Sequence, residues 1–152
     1  MSRGERAFTL IEMTVVLLII ALGSALVVPM IEGGFESREV RRAARQIAAT
    51  MTYCRGEAVA LGKPQEMVID ADKNSIQTSG GRWAVLTDRA VIADMTGGFT
   101  AADHVAQVVF YPNGATTGGD VLVTSRRDRA KNRILIHLDP LIGNVTVRDA
   151  TL

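Results

Sequence analysis

The sequence is poor in the residues that carry most enzymatic chemistry. It has one cysteine, Cys54, and two histidines, His104 and His137. A single cysteine excludes an internal disulfide, so a folded domain in this chain must be stable through its core alone. The chain contains no HExxH, CxxC or GxSxG pattern, so metalloprotease, redox and serine-hydrolase sites have no visible residues. We therefore predict no enzyme, no cofactor and no metal site.

Two short segments imitate known ligand-binding loops but lack their essential residues. Asp70–Asn74 is similar to the opening of a calcium loop, which requires a glycine at its sixth position and a glutamate at its twelfth. Ser75 and Gly81 occupy those positions, so we predict a tight hairpin turn instead. The Thr116–Gly119 loop lacks the lysine of a phosphate-binding loop.

Basic and acidic residues nearly balance over the whole chain. The chain has 17 basic and 16 acidic residues, for a net charge of +1, which argues against a bulk nucleic-acid binder. One local exception carries five cations against Asp128: Arg126, Arg127, Arg129, Lys131 and Arg133. These cations could contact nucleic-acid phosphates. The alternative, which we favour, is a solvated hairpin tip between two strands.

A long hydrophobic run is present near the start of the chain. Residues from Met13 to Ile31 are uncharged, and such a stretch predicts a membrane-spanning helix. Counted from Phe8, it would be about 36 Å long. Arg3 and Arg6 precede it, which favours a cytoplasmic N-terminus. A secretory signal peptide would have a shorter core, and a plain single-pass anchor would not explain the acidic residue at the rim, Glu12.

The residues before this run form a recognisable order. Phe8-Thr9-Leu10-Ile11-Glu12, after a short basic leader, resembles the type III signal of type IV pilins and type II secretion pseudopilins. The resemblance implies a leader at 1–7, cleavage between Ala7 and Phe8, N-methylation of Phe8 and a role for Glu12 in assembly. It also implies a transmembrane helix at 8–31. Those families usually have glycine before the cut, where this chain has Ala7.

Residues 32–62 change to a helical period. Apolar side chains recur at steps of four and three along one seam, formed by Val40, Ala44, Ile47, Met51, Cys54, Ala58 and Leu61. Gly62 and Pro64 predict the end of this helix. We expect the seam to pack on a sheet while the arginines between 38 and 55 stay solvated. A basic amphipathic helix can also lie on a membrane or on a partner.

Residues 63–152 consist of short apolar runs separated by turn signals. The predicted strands are Gln65–Ala71, Asn74–Thr78, Trp83–Leu86, Ala90–Ile92, Val105–Tyr111, Asp120–Thr124, Ile134–Leu138 and Asn144–Arg148. We expect the first two to form one hairpin and the next two another. Strands that follow one helix predict an α+β domain with an antiparallel sheet, against which the long N-terminal helix packs.

The C-terminal part of the chain indicates which group of pilin-like proteins the sequence resembles. Phe110-Tyr-Pro-Asn-Gly114, a Thr/Gly-rich loop, and Gly143-x-Val145-x-Val147 are similar to the GspH/FimT family of pilin-like proteins. This implies an H-type minor pseudopilin, anchored in the inner membrane with a periplasmic domain and assembled near the tip of the pseudopilus for protein export. The implied partners are a prepilin peptidase, other major and minor pseudopilins and the inner-membrane assembly platform. Secreted cargo or the outer-membrane channel could also be partners. The alternative is a FimT-like minor pilin that binds DNA for uptake.

Overall fold

The computed structural model describes residues 9–102 and 104–150, with side-chain surroundings for all of these except 25–35 and 100–102. The described residues form one α-helix followed by nine strands. The chain divides into two compact units, Met1–Phe35 and Glu36–Leu152. The second is called the globular unit below. The predicted leader, 1–7, lies outside the described residues.

The helix, α1, extends from Leu10 to Leu61. Thr9 caps its start, because the Thr9 hydroxyl accepts the backbone N–H of Glu12 at 3.3 Å. Its end is the one predicted: Gly62 follows with a φ of +62°, the left-handed conformation that commonly closes a helix. One helix therefore covers most of the two predicted segments, 8–31 and 32–62.

The apolar seam predicted for the second half of α1 is buried, as expected. Six of its seven members are at most 2% exposed: Val40, Ala44, Ile47, Met51, Cys54 and Ala58. The prediction for Leu61 is wrong, since this residue is 58% exposed. Leu61 is the last helical residue, and its side chain lies beyond the core. Ala43, which the periodicity did not include, is buried beside Ala44.

The strands form two antiparallel sheets. Their bounds are β1 Gln65–Asp70, β2 Ser75–Thr78, β3 Trp83–Val85, β4 Ala90–Thr96, β5 Thr100–Ala102, β6 Val105–Phe110, β7 Gly119–Ser125, β8 Ile134–Leu138 and β9 Val145–Asp149. The first sheet has the order β3-β2-β1-β6-β5 and the second β4-β7-β8-β9. Alternate residues of β1, β6, β7 and β8 share one hydrophobic core with the seam of α1. The predicted α+β class with a helix packed on antiparallel sheet is confirmed.

Only one of the two predicted early hairpins exists. β1 and β2 pair as expected, with Asp70 opposite Ser75, and the Asp70 carboxylate accepts the Lys73 N–H at 2.8 Å. The second prediction is wrong, because β3 pairs with β2 whereas β4 pairs with β7 in the other sheet. Residues 90–92 are buried there, and burial in the second sheet outweighs the local turn signal. β5 was not predicted.

Candidate functional site

The predicted assembly residue, Glu12, lies exposed in the first turn of α1. The Thr9 cap fixes the helix start three residues before it. A carboxylate in this position interacts favourably with the partial positive charge of the helix N-terminus. Within the described part of the chain, no side chain pairs with this carboxylate. The predicted processing residues, Ala7 and Phe8, lie outside the described residues.

The first turns of α1 expose apolar side chains on all sides of the helix. Ten large apolar residues between 10 and 22 are 44–86% exposed: Leu10, Ile11, Met13, Val15, Val16, Leu17, Leu18, Ile19, Ile20 and Leu22. Exposed apolar surface of this extent marks a membrane or protein interaction site.

No helix formed by the described residues combines the length and hydropathy that crossing a membrane requires. Residue 8 and the side chains of 25–31, which belong to the predicted membrane segment 8–31, are outside the described set.

The five clustered cations lie at the tip between β7 and β8, which pair as an antiparallel hairpin. The hairpin prediction is therefore confirmed. The end of β7 holds the loop in shape: the Thr124 hydroxyl lies 3.0 Å from the Arg129 carbonyl and 3.2 Å from that of Lys131. The Ser125 hydroxyl accepts the N–H of Arg127 at 3.2 Å. We call residues 126–133 the basic hairpin tip.

The basic hairpin tip packs beside the first residue of the globular unit. The Ser125 hydroxyl donates to the Glu36 carboxylate at 3.3 Å, and an Arg127 guanidinium nitrogen lies 3.9 Å from the same carboxylate. Lys131 lies 3.5 Å from Asp128 within the tip. The Lys131–Asp128 pair is exposed, so its contribution to stability is small.

The other end of β8 carries an apolar turn. The Asp139 carboxylate accepts the backbone N–H groups of Leu141 and Ile142, at 2.8 and 3.1 Å. These bonds favour the charged form and so lower the pKa of Asp139. Leu141 is 82% exposed and Ile142 60%. Asp139 thus holds a fixed turn that presents two large apolar side chains to the outside.

The two stretches that resemble the GspH/FimT family, Phe110–Gly114 and Gly143–Val147, contact each other behind this turn. A methyl group at Gly143, whose φ is +61°, would overlap the Gly114 carbonyl and lie 2.9 Å from Arg55 Cδ. Thr116 joins the same region, donating to the Asp139 carbonyl at 3.2 Å. The expectation that Arg55 is solvated is wrong, because it is half-buried against both glycines and its Nε has no acceptor among the described residues. A helix seam read from apolar spacing cannot reveal an arginine packed on glycine backbone.

The residues considered for catalysis are separated. His104 lies 3.0 Å from Asp72, while His137 lies 2.7 Å from Asp120 in the other sheet. Burial raises the pKa of the Cys54 thiol to about 11, so it remains a thiol rather than a nucleophilic thiolate. Among residues 9–102 and 104–150, no three metal-ligating side chains come together.

Two known protein families match different parts of the chain. Residues 43–139 match the family described as type II transport protein GspH. The chain belongs to the GspH family. Residues 2–28 match the prokaryotic N-terminal methylation motif. A type II secretion system protein H from Xanthomonas campestris is 32% identical over 129 residues, 84% of this chain and 76% of that protein.

Solved structures show the same fold. The minor pseudopilin EpsH of the Vibrio cholerae type 2 secretion system has a TM-score of 0.59 at 12% identity, covering 73% of this chain and 97% of that one. The Pseudomonas aeruginosa type IV minor pilin FimU has 0.58 at 15%, covering 73% and 89%. Escherichia coli GspH has 0.53 at 13%, covering 75% and 90%. The fold is thus shared by both systems, and the sequence matches favour an H-type minor pseudopilin of type II secretion over a FimT-like pilin.

Proposed function

We propose that this GspH-family chain is a non-catalytic structural subunit that joins the type II secretion pseudopilus near its tip. The observation that carries the proposal is the pairing of two family matches on one chain, the methylation motif at 2–28 and GspH at 43–139. The first supplies an assembly segment and the second a folded unit. The globular unit stands in the periplasm and contacts other major and minor pseudopilins, with cargo or the outer-membrane channel as further partners.

Processing precedes assembly in this proposal. A prepilin peptidase of the inner membrane removes 1–7, cutting between Ala7 and Phe8, and the new amine of Phe8 is N-methylated. Residues 8–31 hold the chain in the inner membrane until the assembly platform adds it to the filament. The apolar side chains exposed between 10 and 22 support this step, because their surface needs lipid or neighbouring helices to cover it.

Glu12 then sets the register between neighbouring helices. Its carboxylate attracts the amine that cleavage creates on Phe8 of an adjacent subunit. In surroundings of low dielectric constant this attraction is much larger than in water. Removing one partner of a buried ion pair costs about 3–5 kcal/mol, so a subunit without the carboxylate is strongly disfavoured in the filament.

The test combines mass spectrometry with a Glu12 series in cells that carry the complete secretion system. The native protein should begin at a methylated Phe8. Glu12→Ala and the isosteric Glu12→Gln should both remain in the membrane fraction, yet lose crosslinks to other pseudopilins and secretion activity. Glu66→Gln, a matched change at an exposed position of β1 in the globular unit, should preserve both. A protein that keeps residues 1–7, or a Glu12→Ala variant that assembles normally, would contradict the proposal.

A further inference from the structure

The basic hairpin tip lies beside Glu36, the first residue of the globular unit. An Arg127 guanidinium nitrogen of the tip lies 3.9 Å from the Glu36 carboxylate, and Ser125, which precedes the tip, donates to the same carboxylate. Glu36 follows the last residue of the predicted membrane segment, Ile31, by five positions. Five residues span about 18 Å at full extension. The length of this connection therefore limits how far Glu36 can lie from the end of the predicted membrane segment.

Most cations of the basic hairpin tip are exposed. Five cations and one carboxylate give residues 126–133 a net charge of +4. Arg126, Arg129 and Lys131 are exposed. The loop uses the backbone of the two arginines: the Arg126 N–H donates to the Arg89 carbonyl, and the Arg129 carbonyl accepts from Thr124. The fold of the tip thus does not consume these two guanidinium groups.

The opposite end of the globular unit has a different surface. Gly143 contacts Arg55, which lies 19 residues further along α1 than Glu36, or about 28 Å. That end presents the apolar turn of Leu141 and Ile142. The cations thus cluster beside Glu36, where the chain enters the globular unit, and the apolar turn lies at the other end of this unit. A solvated tip with no partner gives no reason for this arrangement.

We propose that the basic hairpin tip binds the phosphate headgroups of anionic phospholipids and holds the globular unit against the bilayer until the subunit joins the filament. This inference rests on the membrane anchor of the proposed function. Arginine matches phosphate with a planar pair of donors. Each Lys or Arg at an anionic membrane surface strengthens binding about fivefold. DNA offers the same phosphates, but closeness to the anchor favours the bilayer.

The test uses the full chain in nanodiscs of phosphatidylcholine alone or mixed with phosphatidylglycerol. Ala130→Cys, on an exposed residue of the tip, reports access through its reaction rate with a bulky uncharged maleimide. Native Cys54 does not compete, since it is 2% exposed. We expect the reaction to be at least about fivefold slower with phosphatidylglycerol, and high salt to remove the difference.

Two matched double variants locate the effect. Arg126→Gln with Arg129→Gln should abolish the protection by phosphatidylglycerol. Lys63→Gln with Arg82→Gln removes the same charge outside the tip and should leave the protection intact. Equal rates in both kinds of nanodisc would overturn the proposal, as would protection by double-stranded DNA in phosphatidylcholine nanodiscs without protection by phosphatidylglycerol. Failure of the chain to enter nanodiscs at all would instead contradict the anchor and the proposed function.

Discussion

Two stretches of one helix, α1, differ in the burial of their apolar side chains. Between residues 10 and 22, large side chains such as Leu17 and Ile19 are 66% and 63% exposed. Between residues 40 and 58, side chains such as Ile47 and Met51 are fully buried. The difference is one of pattern: the first stretch is apolar all round, whereas the second has one apolar seam and polar flanks.

This contrast separates what the chain completes by itself from what it needs others to complete. The seam at 40–58 packs on strands of the same chain and forms a closed core. The stretch at 10–22 has no such cover among the described residues. Its cover must come from lipid and, on our proposal, from the helices of other subunits. The folding of the globular unit and the assembly of the filament should therefore respond to different substitutions.

Replacing an isoleucine by aspartate in each of the two stretches of α1 should give the largest effects, and it tests whether the stretches differ. Ile47→Asp places an unpaired charge in a closed core and should destabilise the globular unit by more than about 4 kcal/mol. Ile19→Asp should change its stability by less than about 0.5 kcal/mol while reducing membrane retention. Unfolding in detergent, followed by circular dichroism, and membrane fractionation measure the two quantities. Equal losses of stability in the two variants would show that the stretches form one core.

Substitutions at two glycines test how closely Arg55 and Gly114 pack against Gly143. Gly143 and Gly62 have nearly the same φ, +61° and +62°, but only Gly143 would place a methyl group against neighbouring atoms. Gly62→Ala should cost about 1–2 kcal/mol through backbone strain alone. Gly143→Ala should cost about 1–3 kcal/mol more, because Gly114 and Arg55 must move. Equal free energies of unfolding for the two variants would contradict the packing of Arg55 on the glycines.

The smallest expected effect is a pH dependence at the apolar turn. The backbone N–H groups of Ile142 and Leu141 lower the pKa of Asp139 in the folded state. Its stabilising contribution is therefore complete above the unfolded pKa, about 3.9, and is lost as the pH falls through the lower folded value. Asp139→Asn should have a lower Tm than the native chain near pH 7, with a gap that narrows below about pH 4. A gap that stays constant down to pH 2 would show that the charge is irrelevant there.

Sequence periodicity predicted six of the seven seam residues and the end of the helix correctly, because these depend on residues a few positions apart. Ile47, Met51 and Cys54 recur at helical spacing, and Gly62 with Pro64 marks the end. The division into two sheets was not predictable in this way. β4 pairs with β7, so Ala90 lies opposite Ser125, 35 positions away. Local turn signals between Trp83 and Ile92 carry no information on that distant partner.

The candidate sites likewise combine features that a local sequence pattern predicts with contacts between residues far apart in the chain. The order of residues from Phe8 to Glu12 predicted the methylation motif that residues 2–28 match, and the clustered cations marked a hairpin tip. The proximity of that tip to Glu36 depends on the registry of β7 against the helix, which no local pattern encodes. The contact of Arg55 with Gly114 and Gly143 likewise joins three segments that are far apart in the chain.

On our proposal, other subunits cover the exposed stretch of α1 in the working filament. A photoreactive amino acid at position 17, introduced in cells with an active secretion system, tests this directly. We predict crosslinks to other pseudopilins that disappear in the Glu12→Ala background, where only lipid adducts remain. Adducts with lipid alone in the native background, while secretion proceeds, would contradict the account.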